Sequence, residues 1–131
     1  MDNLKRGLDF SFPDKNEVIK NELLTLSPDE SYSYAYCSDT KFNERIVPQL
    51  KDVDVLYHEA TFLHRDEKRA EATYHSTAKQ AATIAKQANA KLLIIGHFSN
   101  RYKDLNVLLD EAKTIFANTQ LAQEDAVFEM A

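Results

Sequence analysis

Residues 53–62 read VDVLYHEATF, and residues 91–102 read KLLIIGHFSNRY. Each stretch opens with a short aliphatic run and becomes polar around a histidine. A run of this length that is rich in Val, Ile and Leu is typical of a buried strand rather than of a helix. We therefore predict strands at residues 53–57 and 91–95, each with a polar cluster at its carboxyl end.

The sequence on either side of these stretches alternates strand patterns with helix patterns. Tyr32, Tyr34 and Tyr36 recur at the period of two expected of a strand. Ser76 or Thr77 stands before a run of alanines at helical spacing, where a helix cap is expected. The other predicted elements are a strand at residues 31–37, a short helix at 42–50, helices at 78–88 and 105–116, and short strands at 119–122 and 126–130.

This alternation predicts an α/β fold in which neighbouring strands run largely parallel. Such sheets are normally covered on both faces, but the chain supplies amphipathic helices for one face only. We expect residues 31–131 to form this layer, a mixed sheet covered by helices on one face. Residues 1–30 show no clean periodicity and contain Pro13 and Pro28, so we interpret them as a connecting segment.

The composition limits the possible functions. The 131 residues carry a net charge of −5, which argues against nonspecific electrostatic adhesion to nucleic acid but not against RNA as a substrate. Cys37 is the only cysteine, so an internal disulfide is excluded and a cytoplasmic location is expected. The longest aliphatic run, residues 92–95, is far shorter than the roughly 20 residues of a membrane span. We therefore expect no membrane span.

Four polar clusters are expected to converge at one end of the sheet. Three of them, at residues 38–40, 58–61 and 96–99, follow predicted strands, and the fourth, at residues 75–77, opens a helix. Ligands of open α/β sheets bind beyond the carboxyl ends of the strands. Histidine, aspartate and glutamate side chains gather there, and imidazole nitrogen and carboxylate oxygen are ligands that zinc prefers.

Spacing alone leaves other interpretations open, because no two of these residues form a close metal-binding pair. Asp39 suits a helix cap or a turn, and Glu59 suits a solvated carboxylate at a strand end. His75 suits packing beside a capped helix. His97 favours function more strongly, because it lies in a loop after a buried strand.

The order of the clusters is more specific than any one of them. SDT at residues 38–40, HEATF at 58–62, HST at 75–77 and GHFSNRY at 96–102 closely resemble the carboxyl-terminal motifs of the ribonuclease Z family, in the metallo-β-lactamase superfamily. The resemblance implies the carboxyl-terminal half of an αββα sandwich. It also implies a zinc-dependent endoribonuclease that removes the 3′ trailer from precursor tRNA.

The resemblance also implies site residues. Asp39 matches the carboxylate that bridges two zinc ions, and His97 matches a histidine that binds one of them. His75 matches the histidine that protonates the leaving 3′ oxygen, and Glu59 is the candidate to orient His75.

The resemblance further implies an interaction with RNA and an incomplete site. Ser99 and Arg101 are expected to bind RNA phosphate. The family carries an H-x-H-x-D-H motif and one further histidine in its first half, and this sequence contains no such motif. We therefore expect a missing amino-terminal half, a chain that is inactive alone, and a homodimer in the complete enzyme.

Two rival functions are weighed against this one. The first is a metallo-β-lactamase-fold hydrolase that acts on another phosphodiester or ester, which the HEATF and HST motifs disfavour. The second is a non-catalytic remnant that pairs with a complementing chain.

Overall fold

A computed structural model gives the fold and describes residues 2–130. The chain divides into two compact units, Met1–Ser31 and Tyr32–Ala131. No helix within the described residues is both long enough and apolar enough to cross a membrane.

The first unit is small and has no buried residue among those described. It contains the helix α1 (Asp2–Lys5), the antiparallel strands β1 (Phe10–Ser11) and β2 (Val18–Ile19), and a 3₁₀ turn. Asn21 connects these pieces: its Nδ2 donates to the carbonyls of Leu4 at 2.8 Å and Leu8 at 3.1 Å. This unit is therefore held by hydrogen bonds rather than by a hydrophobic core.

The second unit is built on a four-stranded parallel sheet. Its strands are β3 (Tyr34–Cys37), β4 (Val55–Glu59), β5 (Leu92–Gly96) and β6 (Thr119–Leu121), and they lie side by side in that order. Because the strands are parallel, all their carboxyl ends meet at one edge. Antiparallel pairing within the described residues is found between β1 and β2.

Helices connect the strands. α2 (Glu67–Ala72) follows a 3₁₀ turn, α3 (Ala78–Gln87) leads to β5, and α4 (Asn106–Lys113) leads to β6. Thr77 caps α3, because its Oγ1 accepts from the Gln80 backbone N–H at 3.2 Å while Gln80 Oε1 accepts from the Thr77 N–H at 2.9 Å. The cap predicted at Ser76 or Thr77 is thus at Thr77.

The hydrophobic core lies between the sheet and these helices. Alternate residues of β4 and β5 supply the sheet side, and α3 and α4 supply the other side. The fully buried members are Leu56, Leu93 and Ile95 from the sheet, Ala81, Ala82, Ile84 and Ala85 from α3, and Leu108 and Ala112 from α4. Full burial of one Leu or Ile side chain stabilises a fold by about 1.5–3 kcal/mol.

Within residues 32–130, the opposite face of the sheet has no helix against it. Tyr34 and Tyr36 are 57% and 63% exposed there, and the ring of Tyr36 stacks on Tyr57 with centroids 4.6 Å apart. Phe128 and Met130, from the end of the chain, line a cleft of about 400 Å³ on this face. The predicted α/β layer with helices on one face is confirmed.

Several predicted boundaries and one predicted strand were wrong. β4 spans Val55–Glu59 rather than residues 53–57, and β5 spans Leu92–Gly96 rather than residues 91–95. His58 and Glu59 therefore belong to β4 and not to the loop after it. His58 pairs with Cys37 on one side, and Glu59 pairs with Gly96 on the other. The short helix predicted at residues 42–50 is present as a 3₁₀ helix, Glu44–Leu50, that contains Pro48. Residues 126–130 form no strand, because β6 ends at Leu121 and the chain turns after Gln123.

Candidate functional site

Three of the predicted site residues lie together at the carboxyl edge of the sheet. Asp39, His75 and His97 each offer a ligand atom, and these atoms lie within 4.8 Å of one another. Nε2 of His97 is 3.2 Å from Oδ1 of Asp39, and the rings of His75 and His97 have centroids 5.1 Å apart.

Left-handed backbone at two strand ends positions two of these side chains. Asp39, just after β3, has φ 48°, and His97, just after β5, has φ 59°. A non-glycine residue in this region is uncommon, and such conformations persist when the surrounding structure holds them. They concentrate at functional sites, where side-chain placement outweighs backbone strain.

His75 is positioned by the junction of two helices. α2 ends in a motif in which the Tyr74 N–H donates to the Glu71 carbonyl at 3.2 Å and the His75 N–H donates to the Ala70 carbonyl at 2.8 Å. Tyr74 has φ 60° and makes the left-handed turn that this motif requires. His75 then stands immediately before Ser76 and the cap residue of α3, so both its neighbours along the chain are fixed.

The carboxylate of Glu59 connects the polar clusters. It is fully buried, and its Oε1 accepts from the Thr40 N–H at 2.9 Å and from His75 Nδ1 at 2.8 Å. Its Oε2 accepts from the Ser76 N–H at 3.0 Å and from Thr61 Oγ1 at 2.7 Å. These donors offset the desolvation of a buried charge, and they come from three of the four clusters.

Thr61 extends this network to His97. Its Oγ1 lies 2.9 Å from Nδ1 of His97. The same hydroxyl lies 2.7 Å from Oε2 of Glu59 and 2.9 Å from the His97 carbonyl, so Thr61 contacts both the buried carboxylate and the residue that carries the second imidazole. For His75 the partner of Nδ1 is a carboxylate, so Nδ1 is the donor in that pair.

This arrangement fits a metal ion. Two imidazole nitrogens and one carboxylate oxygen are a donor set typical of catalytic zinc sites. Hydrogen bonds from the other ring nitrogen to a carboxylate, directly or through a hydroxyl, orient metal-binding histidines. His75 was not among the metal ligands predicted from sequence, whereas its ligand atom lies within 4.8 Å of those of Asp39 and His97.

Arg101 and Ser99 lie beside the cluster rather than in it. Nη1 of Arg101 is 3.4 Å from Oδ1 of Asp66, and its guanidinium lies 5.4 Å from the centroid of the Phe62 ring. The Phe62 ring in turn lies 6.3 Å from that of His75. The Ser99 N–H donates to the Thr61 carbonyl at 3.1 Å, so Ser99 continues the loop that carries His97.

Sequence reasoning missed several supporting residues. Thr61 follows Glu59 by two positions, and a hydroxyl so close to a candidate carboxylate is a signal that could have been used. Tyr102 donates to Asp66 Oδ2 at 2.5 Å and thereby holds the partner of Arg101. That contact joins residues far apart in sequence, and no local pattern predicts it.

His58 belongs to the core and not to the site. It is fully buried, its Nδ1 donates to the Glu59 carbonyl at 2.8 Å, and its Nε2 is the one buried side-chain polar atom without a partner within residues 2–130. Burial lowers the pKa of His58, and the ring is therefore neutral.

Comparison with known proteins identifies relatives. Residues 24–98 match the family described as beta-lactamase superfamily domain. Ribonuclease Z of Porphyromonas gingivalis strain W83 is 52% identical over 118 residues, which are 90% of this chain and 38% of that protein.

Two solved structures are also similar. The metallo-beta-lactamase fold protein YhfI from Bacillus subtilis gives a TM-score of 0.71 with 26% identity, over 78% of this chain and 42% of that one. Human tRNase Z, short form, gives a TM-score of 0.52 with 32% identity, over 65% of this chain and 27% of that one. The chain spans about two fifths of the length of the curated relatives that it matches.

Proposed function

Since this chain belongs to the beta-lactamase superfamily, we propose that it is the carboxyl-terminal part of a zinc-dependent endoribonuclease that removes the 3′ trailer from precursor tRNA. Its similarity to ribonuclease Z of P. gingivalis supports this assignment. The geometry that carries the proposal is the pairing of His75 with the buried Glu59, beside Asp39 and His97.

His75 is the proposed general acid. Its Nδ1 is hydrogen-bonded to Glu59 at 2.8 Å, so Nε2 is the nitrogen that remains for proton transfer. When Nε2 is protonated, the ring carries a positive charge, and the carboxylate that accepts from Nδ1 stabilises it. Histidine suits this role because its charge changes near neutral pH.

The proposed reaction is hydrolysis of one phosphodiester bond. The oxygen of water forms a bond to phosphorus, and the bond between phosphorus and the 3′ oxygen breaks. His75 gives a proton to that leaving oxygen, so the tRNA ends in a 3′ hydroxyl and the trailer keeps a 5′ phosphate. The proton lost by water requires a base, which this chain does not supply in our proposal.

Asp39 and His97 are the proposed zinc ligands in this chain. Bound zinc would supply Lewis acidity and positive charge to the reacting phosphate. Tight binding needs further ligands, and we propose that the rest of the complete protein provides them. The complete enzyme is proposed to be a cytoplasmic homodimer.

Arg101 is the proposed phosphate contact. Its guanidinium lies over the Phe62 ring, and the Phe62 ring lies beside that of His75. A phosphate held by Arg101 would therefore lie close to the imidazole of His75, with only the Phe62 ring between the two side chains. Ser99 lies in the same loop and offers a hydroxyl donor.

A second candidate function is hydrolysis of another phosphodiester. The TM-score of 0.71 with YhfI is higher than that with the human tRNase Z, so the fold alone does not favour RNA.

The experiment compares two substrates under the same conditions. This chain, with zinc, is incubated with a precursor tRNA that carries a 3′ trailer, and separately with bis-p-nitrophenyl phosphate. Each reaction is repeated with the separately expressed remainder of the P. gingivalis relative. We expect cleavage of the tRNA only when both parts are present. Faster cleavage of the small diester than of tRNA would favour the second candidate.

A further inference from the structure

Tyr74 occupies a backbone position that normally selects glycine. It is the first residue beyond the carboxyl-terminal cap of α2, and its φ is 60°. Glycine, or sometimes asparagine, is the usual residue there, because a side chain is strained in this conformation. An aromatic ring at this position is therefore unfavourable for folding.

Burial of the ring in the core does not offset that strain. Tyr74 is 68% exposed. The ring makes a cation–π contact with Lys41, whose ammonium lies 5.7 Å from the ring centroid. A cation over one face of the ring leaves the other face to solvent.

Lys41, which lies over the Tyr74 ring, also lines a polar cleft, although Tyr74 itself is not among the lining residues. The cleft has a volume of about 230 Å³. His75, the residue after Tyr74, forms part of its wall, and so does Lys41. The complete lining is Lys41, Phe42, Glu67, Glu71, His75 and Gln80.

The charges of the cleft indicate which part of a nucleotide it accepts. Apart from His75, the charged groups of the wall are the carboxylates of Glu67 and Glu71 and the ammonium of Lys41. Like charges repel a phosphate from this space, whereas a neutral base or ribose is not repelled. Carboxylate oxygens also accept hydrogen bonds from the amino groups of bases.

We propose that this cleft and the Tyr74 ring form the subsite for the base of the nucleotide whose 3′ oxygen is released. The inference rests on the proposed function. His75 gives its proton to that oxygen, lines the cleft and follows Tyr74 in the chain, so the nucleotide that carries the oxygen is proposed to lie between the cleft and the Tyr74 ring. Its base stacks on the exposed face of the ring.

This subsite has a signature that a structural role for Tyr74 does not share. Tyr74→Gly removes both the ring and the strain, so it should raise the Tm by about 5 °C while it weakens RNA binding. If the ring served folding, the same change would lower the Tm.

The probe is an RNA hairpin whose stem ends in one unpaired 2-aminopurine nucleotide, followed by a short 3′ extension. Stacking on an aromatic ring quenches 2-aminopurine fluorescence. We expect this chain to quench the probe and Tyr74→Phe to quench it equally. Tyr74→Gly should abolish quenching and raise the Kd about tenfold, as expected for the loss of one base–aromatic stack. The matched control is Tyr32→Ala. Tyr32 is also exposed, but it precedes the amino end of β3, whereas the candidate site lies at the carboxyl ends of the strands.

The outcomes separate this inference from the proposed function. If the wild-type chain binds the hairpin but Tyr74→Gly binds and quenches as well as wild type, the subsite is wrong and the proposed function stands. If wild type binds no hairpin, and the complemented enzyme cleaves no precursor tRNA, both are overturned. A fall in Tm for Tyr74→Gly also overturns the subsite, because it assigns the ring to folding.

Discussion

Nδ1 of His75 lies 2.8 Å from Oε1 of Glu59, and the second oxygen of the same carboxylate reaches Nδ1 of His97 through the hydroxyl of Thr61. One buried side chain therefore contacts the first imidazole directly and the second through a hydroxyl. Its backbone donors, the N–H groups of Thr40 and Ser76, tie that carboxylate to the loops after β3 and before α3.

The first prediction concerns Glu59→Gln. Glutamine keeps the shape of glutamate but replaces one acceptor oxygen with a donor, so two of the donors that converge there lose their partner. The free energy of unfolding should fall by about 1–3 kcal/mol, which chemical denaturation of this chain measures. Glu124→Gln, at an exposed carboxylate, is the control. Equal stability of the two variants would contradict the role assigned to Glu59.

The second prediction separates metal ligands from the acid in the complete enzyme. Asp39→Ala and His97→Ala should lose both metal and activity. His75→Ala should keep its metal and lose rate by a factor of roughly 10² to 10⁴, as for removal of a general acid. Metal analysis of the purified variants decides. A zinc-depleted His75→Ala protein would mean that His75 is a ligand, which its distance from Asp39 and His97 allows.

The third prediction concerns acid stability. Asp54 accepts from Lys91 Nζ at 2.6 Å and from the N–H and hydroxyl of Ser33 at 2.7 and 2.8 Å. These contacts, that of Lys91 first, hold the pKa of Asp54 well below its ordinary value. Because the folded-state pKa is lowered, the stabilisation is present above the unfolded pKa of about 4 and is lost as the pH falls towards the folded value.

Asp54→Asn should therefore reduce stability near pH 7 and flatten its decline below about pH 4. Thermal unfolding of wild type and variant across this pH range measures the effect. Asp110→Asn, at an exposed position of α4, is the control and should follow wild type. Parallel curves for Asp54→Asn and wild type would rule out this contribution.

The fourth prediction concerns the sheet face without helices. Its exposed aromatic rings, Tyr34 and Tyr36, line one apolar cleft together with Val55 and Ile94. Apolar patches of this kind mark interfaces. The chain should therefore self-associate or bind a hydrophobic dye, and Tyr34→Ser with Tyr36→Ser should reduce the signal more than Tyr32→Ser does. A wild-type monomer that binds no dye would contradict the prediction.

Much of the fold could be predicted from sequence because the relevant signals are local. The aliphatic runs before His58 and His97 identify two strands, and Thr77 marks the start of α3. The edge at which the polar residues gather follows from parallel strand order alone. The proximity of Asp39 to His97 is a consequence of that order.

The remaining features depend on contacts between distant residues. Pairing with the neighbouring strands, and not composition, decides where β4 ends, so Glu59 fell within it. Alternation suggested a strand at residues 126–130, but a strand also needs a partner. The link from Glu59 through Thr61 to His97 depends on side-chain rotamers and on a left-handed turn, which the sequence pattern does not encode.

The order of the strands also bears on how the site comes into being. β3, β4, β5 and β6 lie in the sheet in the order in which they are synthesised, so each strand can join an edge that already exists. Asp39 follows β3, whereas His97 follows β5, and β4 lies between them. The two side chains therefore meet only when β3 and β5 both pair with β4. In an unfolded chain the proposed ligands lie far apart, so any metal affinity that they share depends on the assembled sheet.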